Sequence, residues 1–439
     1  MAVGRVTYNG GSGVKGAVET TYTIHSDSEQ IKAGNFVEKV TVYTESAAQA
    51  QNLVLDTTTL TASAITAVGN NRLLVAYVTI NYIALQLYDT TISAIPVLLD
   101  DAILPFDSVT SVDLLNMGNN KAVIAFTFDS TVRAAVISVE GDNIKSGTAE
   151  TALSFYAIKV KLCKLNPTRF IIYTNSSSNA ARFVSYKIDS DLTLSEPTSF
   201  YSYNGISNTG YITVDQVVDN KVIVAYNESN YSYQLGLSIC TYDSSTNAIS
   251  KGETSIISGT QRLPQTIKTL SPTKAIVIYQ PNNSALSAVL VTMDDSDTSQ
   301  NVIISAPISL KTGMSIITSL NIVEYETGKY MLIYDNTANI LNIEGDTVAL
   351  GADQVVSSMG VDVDSAVAIE NRVSILYRDT TDYPNLNQVS VNGETISGVV
   401  PTFIPHHEIT KATTKIDGVA KNSGVAGDTI KVYVLGGTE

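Results

Sequence analysis

The chain has 439 residues, 44% of them hydrophobic and only 16% charged, which is enough for a large core and leaves Ser, Thr and Asn to cover the surface. Its 27 basic and 42 acidic residues give a net charge of −15, which repels phosphate backbones and excludes nucleic acid as a partner. Met1-Ala2-Val3-Gly4-Arg5 has no apolar signal region, and no stretch approaches the ~18 apolar residues of a membrane span, so the sequence reads as soluble, made in the cytoplasm and not inserted in a membrane.

In chain order, Met1 to Gly16 reads as a polar, Gly-rich arm, flexible around Asn9-Gly10-Gly11-Ser12-Gly13, and Ser28 to Glu38 as a turn leading into a strand. From residue 51 to residue 404 a repeat takes over. Seven times a basic residue follows Asn, Thr or Gly and opens a short apolar run that closes on an aromatic: Arg72 to Tyr77, Lys121 to Phe126, Arg169 to Tyr173, Lys221 to Tyr226, Lys274 to Tyr279, Lys329 to Tyr334 and Arg372 to Tyr377. The spacing between copies runs from 43 to 55 residues, which points to a ring or array of like units.

Each run is too short for a helix, rich in β-branched residues and apolar at consecutive positions, so it predicts a strand buried on both faces. A half-apolar segment precedes it, as in Tyr211 to Val218, and an alternating one follows, as in Leu235 to Tyr242. The pairs Gly141-Asp142, Gly345-Asp346 and Asn392-Gly393 supply the positive φ angles of tight hairpins before a fourth strand. Four antiparallel strands in about fifty residues make one propeller blade, and seven close a ring without exposed sheet edges. An open solenoid would need capping repeats, and none is visible. Asn52 to Asp56 resembles a fourth strand with no blade of its own, and is expected to complete the seventh blade beside Gln388 to Val391.

Residues 1–50 and 405–439 lie outside the period, and Ile416 to Val434 reads as two strands across a Gly-rich turn. Neither piece can bury a core alone. The expected fold is therefore all-β, a seven-bladed β-propeller (51–404) inserted in a small β-barrel formed by both termini.

Reactive residues are sparse. With no Trp, the WD signature is absent, and no sialidase-type Asp box occurs. Asp189-Ser190-Asp191 and Asp294 to Asp297 lack the further spaced ligands of a calcium loop and read as solvated turns. His406 and His407 point to opposite faces of a strand, and His25 stands apart, so no metal site is expected. Cys163 and Cys240 fall in apolar segments of different repeats, as buried free thiols. The seven basic residues are expected to cap hairpins and pair with acids at the rim. One patch suits surface recognition: Tyr201, Tyr203, Tyr231 and Tyr233, alternating with Ser and Asn and assigned to the fourth blade. No catalytic or cofactor-binding residue stands out, so the reading is a non-enzyme without cofactor.

The combination of Ile31 to Glu38 with Gly418 to Lys421 and Gly427 to Tyr433 resembles small β modules of tailed-bacteriophage capsid-decoration and tail-fibre proteins, and the repeats are similar to degenerate propeller blades of phage virion proteins. The resemblance implies a structural protein of the virion surface, most simply a capsid decoration protein whose terminal module docks on the particle while the propeller projects. Its partners would be other virion proteins of capsid or tail, and further copies of itself on the particle. A tail or baseplate receptor-binding protein contacting host-surface glycan or protein is the alternative, although the shaft of a tail fibre is missing. A glycan hydrolase using two carboxylates in the central channel is the other.

Overall fold

The computed structural model describes residues 18–24, 30–31, 33, 36–49, 53–69, 71–91, 93, 95–154, 156–175, 180–198, 201–204, 212–228, 234–257, 265–282, 284–293, 302–356, 363–379, 382–393, 395–411, 418–420 and 429–434. It divides into two compact units, one of residues 1–46 with 402–439 and one of residues 47–401.

The larger unit is a seven-bladed β-propeller. All seven repeated runs form the second strand of a blade, and each strand opens on the basic residue: Arg72–Val78, Lys121–Phe128, Arg169–Asn175, Lys221–Glu228, Lys274–Asn282, Lys329–Tyr334 and Arg372–Arg378. As their unbroken apolar character requires, these strands are sandwiched between blades; Leu73 to Val78 are buried throughout, and so are Ala122 to Phe126. Burying each large side chain contributes about 1.5–3 kcal/mol, so the motif is first a packing motif.

Turn chemistry accounts for the residue before the basic one. Asn71, Asn120, Asn220 and Gly328 adopt positive φ, a conformation that Gly and Asn reach most easily. Where Thr stands instead, a side chain two residues back holds the turn: Asn166 Oδ1 accepts the Thr168 N–H at 3.0 Å, and Ser271 Oγ accepts that of Thr273 at 3.4 Å.

The innermost strands, Ala62–Ala67, Val112–Gly118, Lys159–Asn166, Ile212–Val218, Gln265–Ser271, Leu320–Glu326 and Val363–Ile369, neighbour one another in sequence around the axis, and the last meets the first. Each has a sheet partner on one side only, so its outward N–H groups need other acceptors. The preceding blade supplies several. Ser111 Oγ accepts the Val160 N–H at 3.1 Å, Asp113 Oδ2 that of Leu162 at 2.8 Å, and Asp215 Oδ2 that of Thr269 at 2.6 Å.

At the outer edge the fourth strand is usually split in two. In the second blade, Thr131–Glu140 carries Asn143–Ser146 on one half and Glu150–Leu153 on the other. The seventh blade closes the ring by the same device: Thr395–Ser397 pairs with Ser390 to Asn392, while Leu53–Val54, from the start of the propeller, pairs with Leu386 and Asn385. The Leu55 N–H continues the ladder to the Pro384 carbonyl at 2.9 Å. The strap therefore lies one half-strand away from its expected place beside Gln388 to Val391, because the hairpin return already occupies that half. Among the described residues, the first blade alone keeps one continuous outer strand, Val97–Leu104.

The terminal unit contains one five-stranded sheet in the order Val18–Thr23, Thr429–Val434, Gly418–Ala420, Phe36–Gln49, Val399–Lys411. Strands from both ends of the chain interleave in it: Val432 pairs with Thr20 on one side and with Ala420 on the other. Ile24, Ile31 and Val37 are buried.

Candidate functional site

The basic residues that open the second strands do most of their work between blades. Because strand direction alternates, the hairpin before a second strand and the one after a third emerge on the same face. Arg72 of the first blade therefore reaches the Glu140-Gly141-Asp142 turn of the second, with Nη2 2.7 Å from Asp142 Oδ1. Lys274 of the fifth blade reaches Glu344-Gly345-Asp346 of the sixth, at 2.9 Å from Asp346 Oδ1 and 3.1 Å from the Gly345 carbonyl. Arg169 binds Glu196 of its own blade at 2.8 Å and lays its guanidinium 4.6 Å from the ring centre of Tyr242 in the next. Arg372 is buried and donates to the Thr90 carbonyl, which joins the seventh blade to the first. These cations are structural rivets. Arg72, Arg169 and Lys274 thus each hold an acid, and Lys329 binds Glu326 within its own hairpin at 2.8 Å.

That local pairing leaves a gap. The seventh blade turns through Asn392-Gly393, without the Asp that receives Arg72 and Lys274 elsewhere, and a cleft of about 270 Å³ opens between Tyr325, Lys329, Glu344 and Gly393. A second cleft, of about 230 Å³, lies on the opposite face, lined by Ser108, Thr110, Asp129, Ser130, Phe128 and Tyr156 among others.

The inner strands carry charges of both signs, which meet across neighbouring blades. Asp113 faces Lys161 at 3.5 Å; Lys268 bridges Asp215 at 3.8 Å and Glu324 at 3.6 Å; Asp364 takes Arg378 at 3.2 Å and the Ser63 hydroxyl at 2.6 Å. Burial holds the Asp215 carboxyl above the usual carboxylate range, while the Lys268 ammonium and the Thr269 N–H pull it down. Lys159 is open to channel water yet enclosed by protein on most sides, and burial, with Lys161 beside it, pulls its ammonium below the ordinary lysine range. Each of these four carboxylates has a cation beside it. Among the described residues no three His, Cys, Asp or Glu side chains come together to hold a metal ion.

Of the recognition tyrosines, Tyr201 and Tyr203 lie on the strand Tyr201–Asn204, which pairs with Ala180 to Phe183 of the third blade and not with the fourth. The fourth-strand position of a blade is filled by the segment leading into the next, so Tyr201 and Tyr203 belong one blade earlier than their sequence position implies. Tyr231 and Tyr233 lie outside the described residues, as do His25 and Asp294 to Asp297. His406 and His407 are consecutive on Val399–Lys411. Asp191 Oδ1 accepts the Thr193 N–H at 3.2 Å and its hydroxyl at 2.7 Å, the closed turn expected of it. Cys163 and Cys240 are buried free thiols, and burial pushes the Cys240 thiol up to about 12. Sequence reading passed over Arg133 and Arg182, which occupy one register in consecutive blades, opposite Phe126 and Thr174; aligning third strands on the repeat would have exposed them.

No protein-family model matches the chain, and no curated protein matches it. Among solved structures it is similar to the BP39L lectin from Burkholderia pseudomallei, with a TM-score of 0.58 and 13% identity over 78% of this chain and 99% of that one. A protein from Lactobacillus plantarum gives 0.53 and 11%, over 76% of this chain and 98% of that one. The WD40 domain of Toxoplasma gondii coronin gives 0.51 and 8%, over 86% and 89%. At such identities the likeness shows the β-propeller fold alone.

Proposed function

We propose that the protein is a non-enzymatic structural protein of a tailed-phage-type particle, a capsid decoration protein. Its terminal β-module, completed as a small barrel, docks on other virion proteins, and its propeller is the displayed body. The observation that carries this reading is the interleaving of both chain ends in one sheet, which tethers the propeller at each end of its sequence. The pairing of each of the four channel carboxylates with a cation supports a non-catalytic role.

The test uses the full chain and empty shells of the particle. Wild type is expected to co-sediment stoichiometrically. Val432→Pro removes a ladder N–H from a strand paired on both sides, and should abolish co-sedimentation while leaving the propeller's melting transition in place. Adhesion to host cells and competition with infection, without shell binding, would replace decoration by receptor binding. Release of reducing ends from host-wall polysaccharide would overturn the non-enzymatic reading.

A further inference from the structure

The second blade carries a cation without a counter-ion among the described residues. Arg133, on the third strand opposite Phe126, places its guanidinium carbon 5.3 Å from the ring centre of Phe106 and 5.1 Å from that of Phe128. The two rings meet edge to face at 5.1 Å, so the three groups form a nearly equilateral triangle. Phe106 leans in turn on the fully buried Phe126 at 4.8 Å. An aromatic column thus rises from the core and ends in a positioned guanidinium resting on the ring pair by cation–π attraction.

Arg133 Nε is closed off from solvent and has no hydrogen-bond partner, and the guanidinium makes no ion pair among the described residues. The contrast with other arginines of the propeller is direct. Arg72, Arg169 and Arg378 each hold a carboxylate, and Arg372 holds a buried carbonyl. A guanidinium carries five donors in a planar fork suited to oxyanions, and in a chain of net charge −15 an unpaired one is conspicuous.

The 230 Å³ cleft lies beside it, since Phe128, whose ring supports Arg133, is one of the residues that line the cleft. Its other walls are hydroxyls and a carboxylate, Ser108, Ser130 and Asp129, with the 59% exposed ring of Tyr156. Ser108, Asp129 and Ser130 all hold positive φ, of 55°, 42° and 58°. Such backbone is costly for non-glycine residues and persists where the surroundings fix it. The third blade repeats the cation: Arg182 stands at the same register, and its outer neighbour Ser202 lies between Tyr201 and Tyr203.

We propose that Arg133 and this cleft bind a small acidic saccharide. Its carboxylate or phosphate takes the open guanidinium edge, as a charge-assisted, bidentate pair. Its hydroxyls engage Ser108, Asp129 and Ser130, and an apolar ring face lies on Tyr156. The volume falls below the ~300–1,000 Å³ of drug-sized sites, which fits a single sugar ring.

Calorimetric titration of the full chain with glucuronic acid, glucose and inorganic phosphate tests the assignment. Glucuronic acid should bind at least about tenfold more tightly than glucose or phosphate, the order expected of one bidentate ionic pair added to a neutral contact surface. Arg133→Gln should weaken glucuronic acid about tenfold without lowering the melting temperature, and Arg133→Lys, which keeps the charge and loses the fork, should fall between. Equal affinity of wild type and Arg133→Gln overturns the proposal, and so does the lack of saturable binding in the millimolar range. Phosphate binding as tight as glucuronic acid overturns the saccharide assignment and leaves an anion site alone.

Discussion

Lys274 and Asp346 stand 72 positions apart in the chain and in different blades, yet their side chains meet at 2.9 Å, where the start of one second strand touches the outer hairpin of the next blade. Arg72 and Asp142 repeat the arrangement four blades earlier. The Asp346 side chain is 88% exposed, so this rivet works in water. A double-mutant cycle with Lys274→Ala and Asp346→Ala should give a coupling of about 0.2–1 kcal/mol, shrinking at high salt. Arg372→Ala should cost more, about 2–3 kcal/mol in urea unfolding, because it strands the buried Thr90 carbonyl at the junction of last and first blades. Equal losses at the two sites would show that burial does not set the worth of these contacts.

The strap is the second point of test. Leu55→Pro removes the N–H that reaches the Pro384 carbonyl and should lower stability by about 1–3 kcal/mol. It should also raise aggregation, since the outer edge of the seventh blade loses part of its cover. Light scattering during a thermal ramp reads the second effect separately from the first. An unchanged unfolding midpoint would mean that the ring closes without the strap.

Asp215 gives a pH dependence of unusual sign. Burial raises its folded-state pKa above the ordinary carboxylate value, so the folded state holds the proton more firmly than the unfolded chain does. Stability from this group is then present below the unfolded pKa and lost as pH rises through the raised one. The stability of wild type minus that of Asp215→Asn should therefore grow on acidification from neutral pH and level off near pH ~4. A difference that shrinks on acidification would show that the Lys268 ion pair outweighs burial.

The ring was legible because packing wrote it into contiguous residues. A second strand buried on both faces needs an unbroken apolar run, and a positive-φ turn before it favours Asn or Gly, so the motif from Asn120 to Phe126 exposes both constraints at once. The strap's existence was legible for the same reason, but its register was not, because the division of an outer edge between two short strands leaves no mark in the strap's own five residues. Tyr201 and Tyr203 were placed one blade late because the segment entering a blade belongs to its predecessor's sheet. The cation bridges and the channel charges were hidden by distance in the chain: nothing near Lys274 announces Asp346, and nothing near Lys268 announces Glu324. Arg133 was hidden by ordinariness, as a single arginine in an apolar strand.

The position of the strap also bears on how the ring is made. Leu53 and Val54 leave the ribosome before any blade, whereas the strand that receives them, Pro384–Asn392, emerges after six blades are complete. Throughout synthesis the nascent propeller is an open arc with an unpaired inner boundary, and the chain must keep its earliest segment free of wrong partners until its last sheet appears. Closure is thus a late step in the life of each molecule, and the interval before it is when the protein is most exposed to misassembly with its neighbours.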